Sequence, residues 1–144
     1  MKRQTKKLMS TESTSSEYML LFRNSAQWYR DLSPDELQKV TNRWMSWYDR
    51  LIAQGKLTVG QPLAQEGKIV SGKTGQLVID GPFAESKEAI GGYFLLRVET
   101  IEEAIKIAQD CPGLPYGVTV EVRPIAARCG MKDMAEAEFA HAQA

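Results

Sequence analysis

Asp80 is the first residue of this sequence whose type and position could support chemistry. It ends the apolar run of residues 77–79 and precedes the dipeptide Gly81-Pro82. A carboxylate at the end of a buried strand is partly desolvated, which raises its pKa and suits it to general acid–base catalysis, whereas an adjacent arginine would lower that pKa. The alternative role is structural, because a carboxylate here can accept backbone N–H groups and fix the turn into Gly81-Pro82. The two roles are compatible, and Asp80 is our catalytic candidate.

The last predicted strand, residues 117–123, carries candidate ligand-binding residues on one of its faces. Side chains alternate along a strand, so Glu121 and Arg123 share a face while the valines point the other way, beneath the predicted helices. Arg123 could bind a carboxylate or phenolate through two parallel hydrogen bonds, with Glu121 beside it. The alternative is an ion pair, within the sheet or between subunits, that joins Glu121 to Arg123, Arg97 or Arg23.

Four further residues complete the candidate ligand-binding set, namely Arg43, Trp47, Tyr18 and Tyr93. Trp44 and Trp47 lie on the apolar stripe of a predicted helix, where core packing and stacking on a ligand are both open. Arg43 neighbours that stripe, and its guanidinium could reach a pocket between helix and sheet. The hydroxyl groups of Tyr18 and Tyr93 could orient a small polar ligand, although hydrogen-bonded core tyrosines are the commoner case.

The sequence lacks the usual motifs for metal, nucleotide and nucleophile chemistry. Its single histidine, His141, falls near the C-terminal end, where we expect a surface position. No CxxC pair, HExxH helix, GxSxG elbow or phosphate-binding glycine loop occurs, so we expect neither a metal nor a cofactor. Of the two cysteines, we expect Cys111 to be a small buried residue and Cys129 to be exposed.

The composition is that of one ordinary globular domain. The 144 residues include 18 basic and 18 acidic side chains, and 43% of the chain is hydrophobic. This charge balance excludes a strongly basic nucleic-acid binder, and we expect no direct contact with nucleic acid. No run of 18 apolar residues occurs, so we expect no membrane span. The basic start is not followed by the apolar stretch of a signal peptide, and we expect a cytoplasmic protein.

Three segments follow from the distribution of apolar residues along the chain. Residues 1–16 are polar and basic, and we interpret them as a disordered tail. Residues 17–125 contain the periodic apolar pattern of a folded domain. Residues 126–144 form a second tail, rich in alanine and glutamate, in which a short helix over Asp133–His141 is compatible with the pattern.

Two capping boxes mark the starts of the main helices. Ser33-Pro-Asp-Glu36 opens the first helix, whose apolar residues recur every three or four positions until Gly55 ends it. Thr100-Ile-Glu-Glu103 opens the second helix, which breaks at Cys111-Pro112. Strands are predicted over residues 17–22, 56–60, 68–70, 76–80, 92–98 and 117–123. The order β-α-β-(β)-β-α-β predicts an α+β, ferredoxin-like fold, with both helices on one face of an antiparallel sheet.

The first strand is apolar on both faces, which has a consequence for assembly. Tyr18, Leu20 and Phe22 share one face, while Met19 and Leu21 share the other. Helices cover only one face of such a sheet, so an apolar patch is left on the other. We therefore expect a homodimer in which two sheets face each other and enclose a cavity.

Several segments carry a family resemblance. The clearest is Asp80-Gly-Pro-Phe-Ala-Glu-Ser-Lys-Glu88, followed by Gly91-Gly-Tyr-Phe94. The others are Tyr18-Met-Leu-Leu-Phe22, Leu32-Ser-Pro-Asp-Glu36, Trp47-Tyr-Asp-Arg-Leu-Ile-Ala-Gln-Gly55 and Val120-Glu-Val-Arg-Pro-Ile125. Together they cover about residues 17–125, in the right order, and resemble the DGPF group of the YCII-related protein family.

This resemblance implies a dimeric α+β barrel and says less about activity. The family is similar to a chlorohydroxyhydroquinone dehydrochlorinase and, more distantly in fold, to muconolactone isomerases. Some relatives carry a proposed histidine–aspartate pair, and DGPF proteins are often encoded beside sigma factors of the extracytoplasmic-function class. In this chain the histidine would be expected near Trp44, yet the domain contains none. Any proton transfer must therefore use a carboxylate, a tyrosine, a lysine or water.

Two functional hypotheses remain open from the sequence. In the first, the protein is a dimeric enzyme or enzyme-like protein that binds a small aromatic or carboxylated molecule, with Asp80 as acid or base and Arg123 placing the anion. In the second, it is a non-catalytic ligand-binding or regulatory module that acts with a sigma factor. The missing histidine favours the second, and the charged residues near a predicted cavity favour the first.

Overall fold

The computed structural model describes residues 16–24, 28–82 and 88–143. The strands are β1 (Glu17–Arg23), β2 (Leu57–Pro62), β3 (Lys68–Ser71), β4 (Leu77–Asp80), β5 (Ile90–Arg97) and β6 (Thr119–Pro124). The helices are α1 (Pro34–Ala53), α2 (Ile101–Ala108) and α3 (Gly130–Gln143), with a short 3₁₀ turn at Leu114–Tyr116. The tail predicted over residues 1–16 lies outside the described residues, apart from Ser16.

The main sheet has four antiparallel strands in the order β2-β5-β1-β6. The first and third of its strands along the chain lie side by side at the centre, and the second and fourth lie at the edges. This is the strand order of the ferredoxin-like fold, and it confirms the predicted α+β class with an antiparallel sheet.

The strand predicted over residues 76–80 forms, but it does not join the main sheet. It is β4, which pairs only with β3 in a separate two-stranded hairpin. Every residue of the two strands is exposed, including the large apolar side chains Ile69, Val70, Leu77, Val78 and Ile79. A buried strand was the wrong expectation here, because no other layer among the described residues covers either face of this hairpin.

Local capping interactions set the starts of the two main helices as predicted. The Ser33 hydroxyl accepts a 3.1 Å hydrogen bond from the backbone N–H of Glu36, at the start of α1. The Thr100 hydroxyl accepts a 3.2 Å bond from the N–H of Glu103, at the start of α2. Each side chain satisfies a backbone donor that has no partner within the helix. At the C-terminal end, α3 is longer than the predicted segment and spans Gly130–Gln143.

The core lies between the main sheet and the two helices α1 and α2. Tyr18, Leu20 and Phe22 of β1 are buried and alternate with half-buried residues. The same core contains Trp47 and Leu51 of α1 together with residues of α2, so both helices pack on one face of the sheet. The opposite face carries the remaining side chains of the central strands, among them Met19, Leu21, Tyr93 and Leu95, which are half-buried. Helices with the length and apolar character of a membrane span do not occur in the described part of the chain.

Candidate ligand-binding cavity

A cavity of about 540 Å³ lies between α1 and one end of the main sheet. It opens where β1 and β2 end and where β5 begins, beside the segment that leads into α1. Six aromatic side chains dominate its wall: Phe22, Trp28, Tyr29, Trp44, Tyr48 and Phe94. We call this space the aromatic cavity.

The two helical rings of the wall come from consecutive turns of α1. Trp44 and Tyr48 are four residues apart, which places their side chains on the same side of a helix. Trp44 packs edge-on against Phe22 of β1, with ring centroids 5.4 Å apart. Tyr48 packs edge-on against Phe94 of β5 at 5.7 Å. The apolar stripe of α1 thus serves the core and the cavity wall at once.

Trp28 closes one side of the aromatic cavity and is held there by stacking. Its indole lies 6.2 Å from the Trp44 ring and 5.5 Å from the Tyr116 ring, tilted by 31° and 33°. The Tyr116 hydroxyl in turn donates a 2.7 Å hydrogen bond to Oε2 of Glu36. This hydrogen bond, followed by desolvation, raises the pKa of Tyr116, while the nearby guanidinium of Arg43 acts in the opposite direction.

Two glycines allow the strands to approach the floor of the cavity. A Cβ atom on Gly60 would lie 2.5 Å from Cδ1 of Phe94, so any side chain there would displace this ring. A Cβ atom on Gly92 would lie 3.0 Å from the backbone oxygen of Gln61. Both glycines line the aromatic cavity, and their missing side chains keep its floor open.

The polar part of the wall contains one charged residue among those the structure describes, and that charge is already paired. Arg23 donates to Oε1 of Glu121 through Nε at 3.0 Å and Nη2 at 2.5 Å. Its Nη1 donates to the backbone oxygen of Glu88 at 2.9 Å. The hydrogen bond from Arg23 lowers the pKa of Glu121, so this carboxylate stays ionised at neutral pH. Asn24, Gln61 and Gln65 supply uncharged polar groups.

Asp80 lies outside this cavity, and its surroundings differ from the expectation. Its side chain is 87% exposed and pairs with Nζ of Lys68 at 2.5 Å across the hairpin. The expected desolvation is therefore not found, because β4 belongs to the exposed hairpin. A backbone hydrogen bond holds the segment after Asp80: the N–H of Gly81 donates to the backbone oxygen of Gly67 at 3.1 Å.

None of the other predicted site residues lines the aromatic cavity either. Glu121, Arg123 and Tyr93 belong to the sheet face opposite the helices, where Glu121 pairs with Arg23 and, at 3.4 Å, with Arg123. The ion pair considered as an alternative role for Glu121 is therefore present. Tyr18 is buried on the helix side of the sheet and belongs to the core.

Trp47 and Arg43 lie on α1 but do not line the aromatic cavity. Trp47 is only 2% exposed and packs in the core, with its ring 5.0 Å from that of Phe94. Arg43 lines a separate polar groove on the other flank of the helix.

Sequence reasoning missed Trp28 and Tyr29, which form part of the wall. An aromatic pair in an otherwise polar loop, directly before the capping box at Ser33, is the signal that could have marked them. Loops between rigid elements often carry binding residues.

A family model for the YCII-related domain matches residues 16–126. The chain belongs to the YCII-related family. An uncharacterized protein of Rhizobium meliloti (strain 1021) is 28% identical over an alignment of 107 residues, and the match covers 62% of this chain and 85% of the relative.

Among solved structures, the chain is similar to 5-chloro-2-hydroxyhydroquinone dehydrochlorinase from Burkholderia phenoliruptrix AC1100, in a complex with 2,5-dihydroxybenzoquinone. The two share 16% sequence identity with a TM-score of 0.39, and the match covers 76% of this chain and 93% of the other.

Proposed function

We propose that this YCII-related protein binds a small, uncharged aromatic molecule in the aromatic cavity and that it works as a homodimer. The observation that carries the proposal is the composition of the cavity wall, in which six aromatic rings surround about 540 Å³. Arg23, the charged residue among the described residues of the wall, is paired with Glu121. Binding sites for small molecules are mostly apolar, with a few polar groups that set orientation.

The ring geometry favours a flat ligand. Trp28 and Trp44 are tilted by 31° to each other, and Tyr48 and Phe94 close the opposite side. Aromatic side chains arranged in this way offer both faces and edges to an aromatic ligand, a contact worth roughly 0.5–1.5 kcal/mol beyond the burial of its area. The amide groups of the wall, such as that of Gln61, would then hydrogen-bond a hydroxyl or carbonyl substituent.

The charge distribution argues against a carboxylate ligand. Arg23 is the one charged residue among the described residues of the cavity wall, and its Nε, Nη1 and Nη2 already donate to Glu121 and to the Glu88 backbone oxygen. An anion entering the cavity would have to compete with Glu121 for these donors, and the desolvation of its own charge would be uncompensated. This differs from the sequence-based hypothesis in which an arginine holds an anionic ligand.

A catalytic role is the alternative. Among the described residues, the cavity wall contains no carboxylate, cysteine or histidine, so the hydroxyl groups of Tyr29 and Tyr48 are the available proton donors. A tyrosine can act as a general acid when it lies within hydrogen-bond reach of the reacting atom. In this alternative the protein is an enzyme that transfers a proton to an aromatic ligand, and Tyr29 or Tyr48 takes the acid–base role that we expected for Asp80.

The proposed dimer would cover apolar surface that the chain does not cover itself. Met19, Leu21, Tyr93 and Leu95 lie on the sheet face opposite the helices, and the β3–β4 hairpin exposes further aliphatic side chains. Apolar patches of this kind are typical of interfaces. We place a second copy of the chain on this face, and we place the protein in the DGPF group on the motif that begins at Asp80. Among the described residues, no feature of the fold favours the regulatory alternative, association with a sigma factor, over ligand binding alone.

The proposal is tested by calorimetric titration with phenol and indole as uncharged probes and benzoate as the charged one. We expect saturable binding of the uncharged probes and much weaker binding of benzoate. Tyr29→Ala should weaken the binding of phenol and indole about three- to tenfold, because it removes one aromatic contact. Tyr29 is 43% exposed, so its truncation should leave the fold intact.

Phe139→Ala is the matched control, since this ring is exposed on α3 and does not line the aromatic cavity. Equal effects of the two variants, or tighter binding of benzoate than of phenol, would contradict the proposal.

A further inference from the structure

A second groove, of about 480 Å³, lies on the other flank of α1 and differs chemically from the aromatic cavity. Five of the residues that line it come from α1, and Asp110 and Pro112 form the facing wall. The α1 residues are Asn42, Arg43, Ser46, Trp47 and Arg50. The groove shares no lining residue with the aromatic cavity, so it is a separate site on the same helix.

The groove holds two arginines that form no ion pair within the described part of the chain. Arg43 and Arg50 are seven residues apart, so they lie on the same side of α1, about 10 Å apart along its axis. Neither has a carboxylate oxygen within ion-pairing distance among the described residues. Arg43 lies beside the Tyr116 hydroxyl, and Asp110 is the acidic residue of the groove wall. The groove therefore has an excess of positive charge.

Further hydrogen-bond donors line the groove beside the two arginines. The oxygen of the Asn42 amide already accepts a 3.0 Å bond from Gln38, which leaves its NH₂ group to donate. Ser46 adds a hydroxyl group one turn further along the helix. Trp47 is 2% exposed, and its Nε1 is a buried donor that finds no acceptor in the described part of the chain. Trp47 lines the groove, so its indole signal can report on what binds there.

We propose that this groove binds an oxyanion, the carboxylate or phosphate group of a small molecule. The planar guanidinium group presents paired N–H donors that match the oxygens of carboxylates and phosphates. Arg43 and Arg50 are long enough to converge from two turns of the helix on one anion, with Ser46 and the Asn42 amide donating beside them. The site goes beyond the proposed aromatic ligand and does not depend on it.

The test follows the indole N–H signals of the full chain by NMR during titration with inorganic phosphate and, separately, with succinate. Trp28→Phe and Trp44→Phe assign the remaining indole signal to Trp47. We expect a saturable shift of that signal at constant ionic strength. The preference between phosphate and succinate distinguishes the two sources of oxyanion. Arg43→Gln and Arg50→Gln should each weaken binding at least tenfold, and both side chains are exposed enough to be replaced without unfolding the protein.

Asp110→Asn provides a change in the opposite direction. It removes the negative charge from the groove wall, so oxyanions should bind several-fold more tightly. Lys132→Gln is the control for general charge, because this exposed lysine on α3 lies outside the groove. The proposal is overturned if neither anion gives a saturable shift, or if Lys132→Gln weakens binding as much as Arg50→Gln. Tyr29→Ala should leave phosphate binding unchanged, which separates this test from that of the aromatic cavity.

Discussion

Tyr116 donates a 2.7 Å hydrogen bond to Glu36, 80 residues earlier in the chain. The contact joins the 3₁₀ turn before β6 to the first turn of α1. The Tyr116 ring also stacks on Trp28, so the same residue supports one wall of the aromatic cavity. The hydrogen bond between Tyr116 and Glu36 thus helps to position the Trp28 ring in the cavity wall, although neither Tyr116 nor Glu36 lines the cavity.

We expect this contact to make the stability of the protein sensitive to alkaline pH. The pKa of Tyr116 is raised from its usual value, first by the bond to Glu36. The stabilisation is therefore complete below the unfolded-state pKa near 10 and is lost as the pH rises through the higher folded-state value. Tyr116→Phe should lower the melting temperature at pH 8, and the difference from wild type should shrink above pH 10. Thermal unfolding at both pH values measures this, and a difference that grows with pH would contradict it.

The pair formed by Arg23 and Glu121 should show the opposite pH dependence. The pKa of Glu121 is lowered, mainly by its hydrogen bond from Arg23. Its stabilisation is present above the usual carboxyl pKa and is lost as the pH falls through the lower folded-state value. Glu121→Gln should therefore destabilise the protein at pH 7 and have little effect at pH 3. Melting curves of both proteins at the two pH values provide the measurement.

The same substitution should change which ligands the aromatic cavity accepts. Glu121→Gln removes the negative charge that pairs with Arg23 at the cavity wall, although the amide oxygen can still accept from the Arg23 donors. We expect benzoate to bind more tightly to Glu121→Gln than to the wild type, while phenol binding changes little. Calorimetric titration with both probes tests this, and Arg123→Gln serves as a control because it perturbs the same sheet face without lining the cavity. Unchanged benzoate affinity would show that Arg23 does not face the ligand.

The two cysteines should differ sharply in reactivity. Cys111 is buried, and burial raises the pKa of its thiol to about 11, so it is almost wholly protonated at pH 8. Cys129 is exposed. A chromogenic disulfide reagent should therefore titrate one thiol in the native protein and two in guanidinium chloride. Rapid reaction of both thiols under native conditions would mean that Cys111 is accessible.

The proposed dimer gives a further test on the open face of the sheet. Leu95→Lys places a charge on this face, opposite the helices, so it should disrupt a sheet-to-sheet dimer while sparing the core. Light scattering should give twice the mass of one chain for the wild type and the mass of one chain for the variant. A wild type that is a stable monomer at micromolar concentration would rule the dimer out.

Asp80→Asn tests whether the exposed carboxylate has a role that its surroundings do not show. Exposed ion pairs such as that between Asp80 and Lys68 contribute little to stability. We therefore expect an unchanged melting temperature and unchanged binding of phenol and indole. Loss of either would mean that Asp80 makes contacts beyond those in one chain, for example across the proposed dimer.

Local patterns in the sequence determined the elements of this protein. The hydroxyl groups of Ser33 and Thr100 cap the helices where the capping boxes predict, because capping involves residues only three positions apart. The alternation of buried and half-buried residues along β1 follows from the pleat of the strand, and the sequence pattern predicted the two sets of side chains but not which of them faces the helices. From these elements the order of the chain predicted the ferredoxin-like arrangement.

Tertiary structure alone decided where the candidate sites lie. Whether the strand ending at Asp80 joins the main sheet depends on its pairing partner, and pairing with β3 left Asp80 in solvent. Arg23 meets Glu121 across 98 residues, and this contact pairs the one charged residue among the described residues of the cavity wall. Hydrophobic periodicity indicates which face of a helix or strand is buried, but it does not indicate which distant residues that face contacts. Those pairings are set by the packing of the whole chain, because register and contact energies are shared among many residues.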